Sequence, residues 1–219
     1  LNMIRHAGLQ GVPCGFLSLE SSVHEVDLRI LSDLASIDSQ RLSIGLLTEG
    51  HFYNITEASS KLGDAPIYIY DEPNADLATV RAQARRMVRQ YGIRALFIDY
   101  AQKIDHKVES GKRNDAMGEV STALKQLARD LDIPVIAAAQ LRRDSENRRP
   151  TPADLADSSQ FEKDADTLVF IHHKLDDERN IQESLLFVEK NRDGPDGAVP
   201  VHFHRQYVRF NQREDVYEN

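Results

Sequence analysis

Four short apolar runs separated by helix-patterned segments, then a change of texture after Gln140, predict an α/β fold. The expected architecture is a mainly parallel central sheet flanked by helices, with antiparallel strands at the C-terminal end. Three observations lead there. The early runs are mostly apolar rather than alternating, as strands buried on both faces are. The segments between them repeat apolar residues at helical spacing, which is the βαβ pattern. The late runs are joined by short turns, which suits antiparallel pairing.

Gly15-Phe16-Leu17-Ser18-Leu19 is the first strand candidate and ends at Glu20. Ser22-Val23-His24-Glu25 reads as a capping box, opening a helix that continues through Val26, Ile30 and Leu34. A polar helical stretch over Glu49–Lys61 precedes a second strand, Pro66–Asp71. Asp76 caps the next helix, with Leu77, Val80, Ala84, Met87 or Val88 and Tyr91 on its apolar face and Gly92 as its stop. Ala95–Asp99 is the third strand. In Asp115–Leu131, Met117, Val120, Leu124, Leu127 and Leu131 recur at spacings of 3, 4, 3 and 4, a single buried stripe. Pro134–Ala139 is the fourth strand and leads into Gln140. Residues 141–163 are polar, contain Arg142, Arg143, Arg148 and Arg149, and read as a long functional loop. Thr167–His172, Leu185–Val188 and Val199–Phe203 follow as strands, with a turn at Asp193–Gly197, and are expected to extend the sheet.

Composition limits the function. The chain has 219 residues, is 41% hydrophobic and shows no repeat or linker, so residues 1–219 are expected to form one domain. No apolar run is long enough for a membrane span, and no signal peptide is expected. The single Cys14 excludes an intrachain disulfide, fits the cytoplasm and is expected in the core. With 27 basic against 35 acidic residues the net charge is −8, which argues against coating nucleic acid through bulk charge. Arg81, Arg85, Arg86 and Arg89 read as a solvated or paired helix face. His172-His173 and His202-x-His204 lie in strand patterns without ligand partners at metal spacing, and no zinc is assigned.

Ligands of open α/β sheets bind beyond the strands' carboxyl ends. Glu20, Asp71, Asp99 and Gln140 stand there. A strand-end carboxylate can hold Mg²⁺ through water, a second can polarise an attacking water, and an amide can sense a γ-phosphate. Taken singly, each is an ordinary polar residue where a strand meets solvent.

Taken in order, the motifs resemble a known family. Phe16–Glu20, Leu96–Gln102 and Val135–Leu141 are similar to three successive motifs of the DnaB-type replicative helicases. Asp154–Asp166 resembles that family's DNA-loop region, and Glu189–Gly197 its Lys-x-Arg-Asn-Gly-Pro-x-Gly hairpin. The match runs from about Pro13 to Phe210. The resemblance implies a RecA-like ATPase core that uses ATP and Mg²⁺, forms a homo-hexameric ring and moves 5′ to 3′ on single-stranded DNA in its channel. It also implies a primase and a helicase loader as partners.

Carried over by position, Glu20 would be the general base, Asp99 the Mg²⁺-binding carboxylate and Gln140 the γ-phosphate sensor linked to the DNA loop. Lys190 and Arg192, two residues apart and on one face of a strand, would reach the neighbouring subunit's nucleotide, as an arginine finger does. DNA would meet Arg142, Arg143, Arg148, Arg149 and the backbone around Asp157, Ser158 and Ser159. Two departures stand out. No Gly-x-x-x-x-Gly-Lys-[Ser/Thr] loop occurs in the sequence. Leu1–Leu9 resembles the helix after that loop, so the loop and first strand are expected upstream and the 219 residues alone are expected to be inactive. Ala156 and Ser159 replace the usual arginine and glycine of the DNA loop. A RecA-like recombinase, a clock-type ring ATPase and a scaffold without the phosphate loop remain as alternatives.

Overall fold

The computed structural model describes residues 1–105, 113–142, 148–155 and 160–213. Four parallel strands make the first sheet: β1 (Cys14–Ser18), β2 (Ile67–Asp71), β3 (Ala95–Asp99) and β4 (Val135–Ala137), in the order β2-β1-β3-β4. β1 is buried at every position, as a central strand covered on both faces must be. Gly15 lies where α5 (Leu77–Tyr91) and its following turn press on the sheet; a Cβ there would lie 2.8 Å from Ile93 Cδ1 and 3.0 Å from Met87 Sδ.

The two sides of the sheet carry separate cores. On one, Leu17, Leu96 and Ile98 pack with Val80, Ala84 and Met87 of α5 and with Met117, Val120, Leu124 and Leu127 of α6 (Arg113–Leu131). That is the stripe expected from the sequence. On the other, Cys14 and Phe16 meet Ile4 of α1 (Asn2–Leu9) and Val26 and Ile30 of α2 (Val23–Ala35). Ser22 and Glu25 form the anticipated capping box at the start of α2, and Gly92 closes α5 with φ +62°. α3 (Ser39–Ser43) and α4 (Glu49–Asp64) close a smaller cluster around Ile37 and Leu42.

The C-terminal strands differ from expectation. β5 (Thr167–Leu175), β6 (Ile181–Asn191), β7 (Gly197–His204) and β8 (Arg209–Gln212) form their own antiparallel sheet, paired in chain order, rather than extending the first. Phe170 and Phe187 face each other across β5 and β6, and with Leu155 form a small separate core. In β6 the register shifts, so that Val188 pairs with Val169 but Lys190 with Leu168, leaving Glu189 as a β-bulge. Part of the expected long loop is ordered as a 3-10 turn at Pro152–Asp154 and as α7 (Gln160–Asp164).

β8 is sewn to the start of the chain. Asn2 donates through Nδ2 to the Val208 carbonyl (2.9 Å), and its Oδ1 accepts from the Phe210 amide (2.6 Å). Asp33 of α2, only 3% exposed, bridges Arg5 of α1 (2.6 Å) and Arg209 of β8 (2.8 Å).

Candidate active site at the strand ends

Parallel register brings the motif residues to one edge. Ser18 pairs with Asp71 on one side and Asp99 on the other, and Ile98 pairs with Ala137. The strands therefore stop nearly level, and Glu20, Asp99 and Gln140 leave the sheet along its carboxyl edge. The Leu19 amide donates to the Asp99 carbonyl and the Ala138 amide to the Ile98 carbonyl, both at 2.9 Å, so the ladder fixes the chain almost to the functional side chains. The start of α1 lies at the same edge. Leu1, which precedes that helix, lies within electrostatic reach of the Asp99 carboxylate.

Asp71, the fourth strand-end group, has another task. Its Oδ2 accepts from the Val23 amide at 3.0 Å, which satisfies a free donor in the first turn of α2. The turn after Asp99 was not singled out from sequence, although Gln102 closes the quoted motif. It is a 3-10 turn, Ala101–Lys103. Gln102 donates through Nε2 to the Gln140 carbonyl (3.2 Å) and accepts at Oε1 from the Gln140 amide (3.1 Å). Lys103 Nζ lies 3.5 Å from Glu20 Oε1 and 5.7 Å from the centre of the Tyr100 ring.

A second cluster lies where β6 meets α7. Lys190 donates to the Glu162 carbonyl (2.6 Å) and the Lys163 carbonyl (3.3 Å), the acceptor end of α7. Arg192, in the turn just past β6 rather than within it, pairs with Asp166 Oδ1 at 2.8 Å. Lys125 of α6 bonds the other oxygen of Asp166, and that bond, followed by the two cations, holds the Asp166 carboxyl below its ordinary range. Lys190 and Arg192 thus share one neighbourhood, and each has an acceptor within its own chain.

The loop arginines are also held. Arg148 grips Asp154 with both terminal nitrogens, one at 2.7 Å from Oδ2. Thr151 donates to the same carboxylate through its amide (2.8 Å) and hydroxyl (2.9 Å). Hydrogen bonds from Arg148 and Thr151 hold the Asp154 carboxyl far below the usual carboxylate range. Arg149 Nε donates to Glu189 Oε1 at 3.0 Å, and its guanidinium carbon sits 4.4 Å from the centre of the Phe187 ring. The Arg142 amide donates to the Asp154 carbonyl at 2.9 Å. Arg143 and residues 156–159, with Ala156, Asp157, Ser158 and Ser159, lie outside the described residues.

Several other residues noted in the sequence have partners within the chain. Arg85 pairs with Asp130 and Arg86 donates to Gln90 on the outer side of α5. His173 stacks on Phe203 and Phe210 and shares a 2.8 Å bond with the Ser184 hydroxyl; burial, then His172, lowers its pKa. Cys14 is fully buried, which raises its thiol pKa. Among the described residues no three His, Cys, Asp or Glu side chains converge on a metal-sized site, and no helix is long and apolar enough to cross a membrane.

Comparison with known proteins identifies the family and the fold. Residues 1–212 match the family model described as the DnaB-like helicase C terminal domain. The Replicative DNA helicase DnaB of Treponema pallidum (strain Nichols) is 36% identical over 201 residues, 92% of this chain and 45% of that protein. Its namesake from Leifsonia xyli subsp. xyli is 35% identical over 217 residues, 96% of this chain and 48% of that one. Two solved structures superpose closely. One, a helicase ATPase domain, has a TM-score of 0.87 at 27% identity, covering 96% of this chain and 78% of that one. The other, a DnaB-like replicative helicase solved in a study of its interactions with primase, has a TM-score of 0.88 at 26% identity, covering 97% and 53%. The chain spans less than half the length of these curated relatives. A family model matched over residues 1–212 and a RecA-like helicase fold shared with both structures make the chain a member of the DnaB-like helicase C-terminal domain family.

Proposed function

We propose that residues 1–219 form one motor domain, the ATP-hydrolysing part of a ring helicase that moves 5′ to 3′ on single-stranded DNA and parts the duplex. The observation that carries this reading is the level register of β1, β3 and β4, which delivers Glu20, Asp99 and Gln140 to one edge in the motif order of the family. Substrate ATP would lie along that edge, its phosphates toward the start of α1, where helix amides favour anions.

Asp99 fits a Mg²⁺ held mostly through water. It offers one hard carboxylate rather than a protein cage, and Mg²⁺ keeps most of its hydration shell. Bound there, the ion would neutralise charge on the β- and γ-phosphates. Glu20, 53% exposed, has room to accept a hydrogen bond from the attacking water and orient it in line. Gln140 lies between that edge and the loop running to Asp154, so a shift at its amide is passed into the loop. Lys190 and Arg192 would act on the nucleotide of the adjacent subunit in a homo-hexamer. Arg192 and Asp166 are 56% and 51% exposed, so exchanging Asp166 for a phosphoryl oxygen costs little.

Arg142, Arg143, Arg148, Arg149 and the segment containing Asp157, Ser158 and Ser159 are assigned to the strand in the channel, with Arg148 and Arg149 acting from positions fixed by Asp154 and Glu189. A primase and a loader are the proposed protein partners, and the cytoplasm the proposed location. The deciding experiment is Glu20→Gln in the full-length protein. ATP binding and ring assembly should persist while turnover stops, and a fully active variant would remove Glu20 from the base role.

A further inference from the structure

Two of the proposed catalytic groups touch the same short turn. The 3-10 turn Ala101–Lys103 follows Asp99 by a single residue. Gln102 satisfies both the amide and the carbonyl of Gln140, the only two backbone hydrogen-bonding groups that residue has. Lys103, the next residue, holds Glu20, its ammonium also lying over the Tyr100 ring. The turn is itself anchored, because Ala101 is fully buried and its amide donates to the Ala138 carbonyl at 2.9 Å. Ile104, closing the turn, is also buried in the main core.

We propose that Gln102 and Lys103 are positioning residues that couple Gln140 to Glu20. Gln102 sets the backbone from which the Gln140 side chain reaches the γ-phosphate. Lys103 restrains Glu20 while the site is at rest, because the ammonium engages the Oε1 that would otherwise be offered to the attacking water. A pull on the Gln140 backbone is transmitted through two hydrogen bonds to Gln102 and so to the adjacent Lys103, where it loosens the Lys103–Glu20 contact. Gln102 donates and accepts with one side chain, so the link carries displacement of Gln140 in either direction along the bond. The Lys103–Glu20 contact is longer and half exposed (39% and 53%), which makes it the joint that yields first. The proposal rests on the roles given above to Glu20 and Gln140.

The test uses the full-length protein, with ATP turnover measured with and without saturating single-stranded oligonucleotide. Lys103→Met is expected to raise the DNA-free rate about two- to fivefold, the scale of an exposed ion pair, and so to shrink the stimulation by DNA. Lys103→Arg, which keeps the charge, should restore parental behaviour. Gln102→Ala should lower the DNA-stimulated kcat about tenfold, the change that ~1.4 kcal/mol makes in a rate, with KM within about twofold because nucleotide binding is not its task. Gln102→Glu keeps the acceptor for the Gln140 amide but sets a carboxylate against its carbonyl, so it should also lose stimulation, and it carries the test if the alanine variant fails to fold.

An unchanged or lowered DNA-free rate in Lys103→Met, or an unchanged kcat in Gln102→Ala and Gln102→Glu, overturns the coupling. Glu20→Gln separates the two levels. If it is inactive while the Lys103 and Gln102 variants behave as the parent, only the coupling falls; if it is fully active, the assignment of Glu20 falls first.

Discussion

Removing the Asp33 carboxylate should destabilise the fold more than any surface change. The side chain is 3% exposed and lies within 2.8 Å of two guanidinium groups from opposite ends of the chain. At an effective dielectric of about 20, each contact has a gross attraction of roughly 6 kcal/mol. Most of that is offset by desolvation, and burial in fact pushes the Asp33 carboxyl up in pKa despite both arginines. The net worth of the triad is therefore small, but the cost of dismantling it from one side is not. Asp33→Ala leaves two guanidinium groups without their carboxylate at a largely buried junction. Breaking a buried pair typically costs about 3–5 kcal/mol. Arg5 and Arg209 retain 19% and 22% exposure and can partly rehydrate, which favours the lower end. About 3 kcal/mol corresponds to a fall in Tm of about 6–12 °C for a domain of this size. Scanning calorimetry measures it directly. A Tm within about 2 °C of the parent, less than 1 kcal/mol on the same scale, would show that the arginines find water easily and that the junction is not closed.

Two glycine substitutions should move stability in opposite directions. A Cβ at Gly8 would collide with the Ile67 side chain, so Gly8→Ala should lose about 1–3 kcal/mol by overpacking, whereas Gly63→Ala in α4 faces open space and should gain up to about 1 kcal/mol of helix propensity; urea midpoints would settle both signs. Because the folded pKa of Asp154 is depressed, its stabilising contribution is present above the unfolded aspartate pKa and is lost only as pH falls through the folded value. A ¹³C titration of its carboxyl should therefore show a midpoint well below 3.8, and one at or above 3.8 would mean that the Arg148 and Thr151 contacts do not persist in solution. In the full-length protein, Arg192→Ala should abolish DNA-stimulated hydrolysis while nucleotide affinity stays within about threefold, since ~0.7 kcal/mol is the most a residue outside its own subunit's pocket should contribute; a large loss of binding would assign Arg192 to its own subunit's site.

The parallel sheet was legible because its strands carry their own signal. Phe16–Leu19 and Leu96–Ile98 are apolar on both faces, and the stripe from Met117 to Leu131 needs no tertiary context to be read. β8 had no such signal. Arg209-Phe210-Asn211-Gln212 is short and polar, and it is held as a strand edge by Asn2, far away in sequence. The separate C-terminal sheet was hidden for a related reason: antiparallel strands can be recognised locally, but which sheet they join depends on packing between distant elements.

The site divides along the same line. Glu20, Asp99 and Gln140 follow from where apolar runs stop. Asp71 satisfies the same rule, yet caps α2, because a carboxylate beside free helix amides is used there first. Gln102 and Lys103 follow no periodicity, since a 3-10 turn sends neighbouring side chains in different directions and only the fold decides what each meets.

The bulge at Glu189 changes the parity of β6. In a regular strand consecutive residues look to opposite sides, so a pair such as Glu189 and Lys190 would serve two different surfaces. With one residue dropped from the count, Glu189 takes Arg149 beside Phe187 while Lys190 takes the carbonyls at the end of α7. Two adjacent residues of a single strand thus clasp both ends of the stretch from Arg149 to Lys163. β6, the strand that leads to Arg192, therefore ties the Arg149 side chain and the end of α7 to a single element.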